Sequence, residues 1–188
     1  MLLACSNEYR SMQAAVGDPL CVEQFRPDFT VQLYKANIEI TGKHLSGLLL
    51  VKKMPDSSTR LLFSTETGFK FFDFSFGGPD DFKAWYVMEK LDKKVVVEAL
   101  RNDFELLLMR WTRAGIGRVS KMDNNWYHGF QKGGKTSYYL TDSLCTEMRV
   151  AELASKRKKL VAAQLFYAGG SVPDSMYIQH YNFNFTIS

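Results

Sequence analysis

Side chains able to do chemistry are few in this chain, and they are scattered. His44, His128 and His180 are the only histidines, and a nucleophilic triad needs such a base between a Ser or Cys and an orienting acid. No Gly-x-Ser-x-Gly elbow occurs, and Ser57-Ser58 sits in a turn with no histidine nearby in sequence. Glu66, Asp80 and Asp81 could supply the carboxylate pair of a glycoside hydrolase. Each falls in a turn, however, where acidic residues serve the backbone. A hydrolase assembled from distant strands would draw on Glu66, Asp73 and His180. Metal-binding patterns such as H-E-x-x-H or an EF-hand loop are absent. Gly77-Gly78, Gly133-Gly134 and Gly169-Gly170 stand between strands, so they read as hairpin turns rather than phosphate cradles. The residue pattern predicts a non-enzyme without metal or cofactor, with its histidines on strand surfaces.

The cysteines carry a different signal. Cys5, Cys21 and Cys145 form no C-x-x-C pair, which argues against a structural zinc site. An odd number leaves one thiol unpaired, and the state of Cys21 and Cys145 stays open. Leu2-Leu3-Ala4-Cys5 resembles the lipobox of bacterial lipoproteins, in which the cysteine sulfur is acylated. The resemblance implies lipid attachment at Cys5, within a tether spanning 1–28. Too few residues precede Cys5 to supply the roughly 7–15-residue apolar core of a secretory signal. No run reaches ~18 apolar residues, so acyl chains rather than a helix would hold the protein at a membrane.

At 188 residues the chain suits a single domain, over 29–188. Its net charge of +4 is spread over both halves, which excludes a committed nucleic-acid binder. The cluster Lys156-Arg157-Lys158-Lys159 reads as a solvated hairpin whose lysines blunt a sheet edge, with contact to anionic headgroups as the alternative. Aromatic residues make up 14% of the chain, mostly Phe and Tyr, and both favour strands. Alternating, turn-punctuated segments predict strands at 29–40, 44–52, 60–64, 69–76 and 82–88. The period then changes, and 91–109 predicts one amphipathic helix with Asp92 as N-cap. A basic loop at 110–118 follows, then strands at 126–131, 135–141, 147–155, 158–168 and 175–187. The fold class is α+β, mostly β. The expected architecture is an unclosed antiparallel β-barrel of about ten to eleven strands, with a helix covering its concave side.

Some strands are apolar on both faces. Phe69, Phe71, Phe72, Phe74 and Phe76 crowd one segment, and 48–51 is apolar throughout. A sheet with one wet face would alternate, so these strands are expected to be covered on both sides. Apolar ligand-lining candidates are Leu48, Leu50, Phe72, Phe74, Phe76 and Trp85 on the sheet, with Val96, Leu100, Phe104 and Leu107 on the helix.

The order of these segments resembles a known family. Ile38-Glu39-Ile40, then 45–53 ending in Lys52-Lys53, then Arg60-Leu61-Leu62-Phe63, then the stretch after Glu66-Thr67-Gly68 look like the LolA/LolB-like class of outer-membrane lipoprotein carriers and receptors. The likeness covers roughly 29–187 and consists of residue-type patterns. It implies an unclosed barrel whose cavity receives acyl chains, in a monomer of the bacterial cell envelope, periplasmic or at the outer membrane. The bulky loop residue of the receptor type has no obvious equivalent in 64–68 or 77–81. The implied function is non-catalytic binding of lipoprotein acyl chains or another apolar ligand, in the service of lipoprotein localisation. The alternative is a structural or interaction module of an envelope complex.

Overall fold

The computed structural model describes residues 8–40, 42–113, 115–156 and 158–188. Cys5, the expected lipid attachment point, lies outside them. The chain opens with β1 (Gln13–Ala14) and a 3-10 turn at Pro19–Phe25, which Asp18 caps by accepting from the Leu20 N–H. A meander follows: β2 (Val31–Ile40), β3 (Lys43–Lys53), β4 (Thr59–Ser64), β5 (Lys70–Phe76) and β6 (Phe82–Val87). Then come α1 (Lys94–Leu107), a 3-10 turn at Arg110–Arg113, and β7 (Gly117–Met122). Next are β8 (Asn125–Lys132), β9 (Lys135–Thr141), β10 (Met148–Ser155), β11 (Lys158–Phe166), β12 (Ser175–His180) and β13 (Phe185–Ile187).

All strands join one antiparallel sheet of 13 strands, in the order β1-β7-β8-β9-β10-β11-β12-β13-β2-β3-β4-β5-β6. The sheet is unclosed, with β1 and β6 as its free edges, and α1 lies against its concave face. The concave surface follows from register. His128, Tyr139, Ala151, Ala163, Ile178, Ile187 and Ile38 stand opposite one another on seven successive strands. Ala151 and Ala163 keep the middle of that row low, where the helix comes closest to β10.

The thirteen strands exceed the expected ten or eleven for three reasons. β1 has two residues, too few for any periodicity. β7 falls partly where a basic loop is expected, and it buries only Val119. The terminal segment is not one strand, because Tyr181–Asn184 reverse it into the β12–β13 pair. That reversal changes parity. Ile178 and His180 face inward on one side of the turn, and Phe185 and Ile187 on the other. The helix also begins later than expected. Lys93 is the N-cap and offers no side-chain bond, so Asp92 does not cap it.

Seven of the ten lining candidates converge between sheet and helix. Phe72 stacks on Phe74 with ring centres 4.7 Å apart, and Phe104 meets Phe72 at 5.8 Å and Phe76 at 6.4 Å. Val96, Leu100 and Leu107 are buried beside them. Leu48, Leu50 and Trp85 do not line the interior. Side chains alternate along a strand, and on β3 it is Leu49 and Val51 that point inward, leaving Leu48 and Leu50 half-buried on the convex face. Trp85 sits opposite a β-bulge at Asp73/Phe74, is 52% exposed, and bonds Ser75 Oγ on the outside. The expected two-sided cover of β3 is therefore absent. Between Phe29, Leu107, Met109, Tyr139 and Met148 the described residues leave a cavity of about 10 Å³, room for one water at most.

Candidate functional site

At one mouth of the half-barrel, the end of α1 meets the turns that follow β3 and β5. Met109 adopts a left-handed backbone (φ 52°) that breaks the helix and aims the next turn across the opening. A groove of about 340 Å³ results. Its lining includes four cations, Arg26, Lys53, Arg110 and Arg113, against one carboxylate, Asp28. Its floor is apolar, formed by buried Phe29, Phe76 and Leu108. Cations suit this position because a helix C-terminus carries partial negative charge, and Arg26 Nη1 donates to the Leu108 carbonyl at 3.1 Å.

The four cations are not equally satisfied. Arg26 is forked onto Glu23, and Lys53 reaches Asp28 at 3.1 Å. Arg110 spends its two terminal nitrogens on the Gly77 and Gly78 carbonyls. Its Nε is buried with no partner among the described residues. Burial lowers the Arg110 pKa, with Arg101 pushing the same way, yet a guanidinium stays charged in proteins. A buried donor on a fixed charge, over an apolar floor, is an arrangement that favours an acid group with a hydrophobic body.

The interior holds buried polar pairs on α1. His180 Nε2 lies 3.0 Å from Asp103 Oδ2, both fully enclosed, and the His180 ring stacks on Phe185 at 4.4 Å. Burial pushes the Asp103 carboxyl up, against the opposing pull of His180. Glu105 is held by Arg101 and by the Trp111 indole N–H at 2.7 Å. Tyr139 donates to the Leu106 carbonyl at 3.1 Å. The hydrolase trio of the sequence does not assemble. Asp73 is forked onto Arg60 on the convex face, His180 meets Asp103 on the concave one, and Glu66 lies in an exposed turn. His44 is exposed as expected, but His128 and His180 are buried.

Cys21 and Cys145 form a disulfide across 124 residues of chain, tying the first 3-10 turn to the loop after β9. His128, near the middle of β8, stands beside it, with Nδ1 3.7 Å from the Cys21 sulfur. On its other side His128 Nε2 meets Thr141 Oγ1 at 2.9 Å. Thr141 spends its own proton on the Asp142 carbonyl, so its oxygen accepts from Nε2–H. Burial lowers the His128 pKa, while the Asp18 carboxylate and carbonyl pull it back. Sequence spacing missed this grouping because the three residues come from three separate elements.

Compared with family models, curated proteins and solved structures, the chain matches none. Among the described residues no helix is long and apolar enough to cross a membrane.

Proposed function

We propose that this chain is a non-catalytic binding protein for acyl-bearing anionic ligands, anchored in the cell envelope through Cys5. The observation that carries the proposal is the mouth groove, lined by Arg110, Arg113, Phe29 and Leu108, where the Arg110 guanidinium lies 5.5 Å from the Phe76 ring centre and its Nε has no partner among the described residues. The acid head of a ligand would pair with Arg110 and Arg113, and its chain would follow the apolar floor inward. Phe29 and Pro27 line both the groove and the small interior cavity. They form the partition an acyl chain must displace. Each methylene buried contributes about 0.8 kcal/mol. The unclosed sheet with its covering helix accords with the lipoprotein-carrier resemblance, and a disulfide accords with an oxidising compartment such as the periplasm.

Titration of delipidated protein with dansyl-undecanoic acid tests this. Saturable fluorescence enhancement is expected, weakened about tenfold by Arg110→Gln, the loss of one charge-assisted hydrogen bond. Arg113→Gln, at an exposed position, should weaken it less. Absence of saturable uptake, or indifference to both substitutions, rejects the proposal. Anchoring is tested separately, by palmitate labelling of cells that should vanish with Cys5→Ala.

A second reading, an interaction module of an envelope complex, is favoured by the small size of that interior cavity. It predicts no uptake of the probe and capture of a protein partner on cross-linking.

A further inference from the structure

The Cys21–Cys145–His128 cluster is built more carefully than a bridge alone requires. We infer that the reduced form of this cluster is a zinc site, with the Cys21 and Cys145 thiolates and His128 Nδ1 as ligands, so that the disulfide switches metal binding off. The ligand atoms all lie within 4.8 Å of one another. Zn–S bonds of about 2.3 Å and Zn–N bonds of about 2.0 Å put neighbouring tetrahedral ligands roughly 3.5–3.8 Å apart. The Cys21 Sγ to His128 Nδ1 distance is already 3.7 Å. The two sulfurs must separate and the Cys145 sulfur must draw closer to His128, both by side-chain rotation, over a Cα–Cα distance of 6.4 Å.

Three features hold the backbone in place once the bridge opens. Asp142 accepts from the backbone N–H groups of Thr146 (2.6 Å) and Glu147 (2.9 Å) and from the Thr146 hydroxyl, fixing the loop that carries Cys145. Gln24 Nε2 bridges the Cys21 carbonyl at 2.9 Å and the Cys145 carbonyl at 2.8 Å, and also points at the Cys145 sulfur at 3.8 Å. Asp18 caps the 3-10 turn that carries Cys21. His128 keeps Nε2 on Thr141, as metal-bound imidazoles keep their second nitrogen on a partner, which leaves Nδ1 as the ligand atom; the two nitrogens lie 3.7 Å (Nδ1) and 3.9 Å (Nε2) from the Cys21 sulfur. Cys21 and Cys145 are partly buried rather than enclosed, which leaves a reductant a route to the bridge.

The chemistry balances simply. A dithiol reductant takes the place of the bridge by thiol–disulfide exchange, giving two cysteine thiols and one reductant disulfide. Zinc then binds both as thiolates, and two protons leave to solvent.

Cobalt(II) is the probe, because its thiolate charge-transfer absorption reports the ligand set. Full-length protein, phosphine-reduced and shown by near-UV circular dichroism to keep its fold, should bind one equivalent of Co²⁺ with that band. Zn²⁺ should displace it. Oxidised protein and Cys145→Ser should show no band. His128→Asn should weaken binding more than tenfold, the loss that changes merely supporting a ligand already cause. Thr141→Val, which leaves all three ligands, should produce a smaller loss of about tenfold. A reduced protein without the band, or one whose affinity is unchanged in both His128→Asn and Thr141→Val, overturns the inference.

Discussion

The two halves of the sheet present very different outer surfaces. Behind β8–β11 the convex face is clothed by the N-terminal segment. Tyr9 lays its ring over Tyr138 at 5.2 Å and edge-on to Tyr127 at 6.4 Å, and its hydroxyl donates to Glu152 at 2.9 Å. Lys159 reaches the same carboxylate at 2.7 Å, which leaves Glu152 buried. Tyr138 in turn lies across Gly129, where a Cβ would come within 2.7 Å of its ring. Behind β2–β5 the described residues cover the convex face only in part, with Asp73 shielded by Arg60 and Lys70. Leu33, Leu50 and Leu62 stand in one cross-strand row, with Leu33 56% exposed. So a leucine lies open on one half while a glutamate is buried on the other. Hydrophobicity of a strand does not say which face has a neighbour; that depends on where a distant segment comes to lie.

The largest test of this contrast is to unfasten the clothed half. Cys21→Ser with Cys145→Ser should cost about 2–5 kcal/mol in denaturant titration, since the bridge closes a long loop. A loss below 1 kcal/mol would mean that the first 3-10 turn docks without it. Next comes Tyr9→Ala, which strips two ring contacts and a bond to a buried carboxylate. About 1–3 kcal/mol should be lost, and limited proteolysis should begin near the N-terminus.

The clothed face also has a pH signature. Burial raises the pKa of Tyr9, Tyr127 and Tyr138, that of Tyr127 to about 12, with Glu152 adding to each shift. A raised folded-state value means that the unfolded chain releases its protons first. Stability should be unaffected below about pH 10 and fall as pH rises beyond it. Tyr9→Phe should make that fall shallower in alkaline denaturation curves; identical curves would place Tyr9 in water. The smallest effect belongs to the half that leaves Leu33 open. Leu33→Thr should change stability by no more than about 0.5 kcal/mol, and a larger loss would reveal a covering the contrast denies.

Much of the fold was legible because the meander and the helix announce themselves by period. The helix face Val96, Leu100, Phe104 and Leu107 and the inward row Phe72, Phe74 and Phe76 follow from spacing alone. What escaped did so for physical reasons. Leu48 and Leu50 have the composition of core but the wrong parity, and a bulge sends Trp85 outward. β7 buries only Val119, so no alternation marks it as a strand. His128 and His180 are buried beside partners, Thr141 and Asp103, from other elements. The mouth groove and the disulfide are products of tertiary assembly, built from turns whose residues only say that the chain bends.

One consequence of the open sheet concerns self-association. β6, six residues long and paired with β5 on one side only, turns the backbone donors and acceptors of alternate residues toward an edge that has no neighbouring strand among the described residues, a template on which a second molecule could polymerise. The bulge beside Trp85 twists that edge, and Lys83 lies 3.4 Å from the centre of the indole ring. An incoming strand would have to bury that ammonium or dislodge it. The opposite edge, β1, is two residues long and gives almost no register to copy. An unclosed barrel built this way resists fibrous growth at both ends without closing.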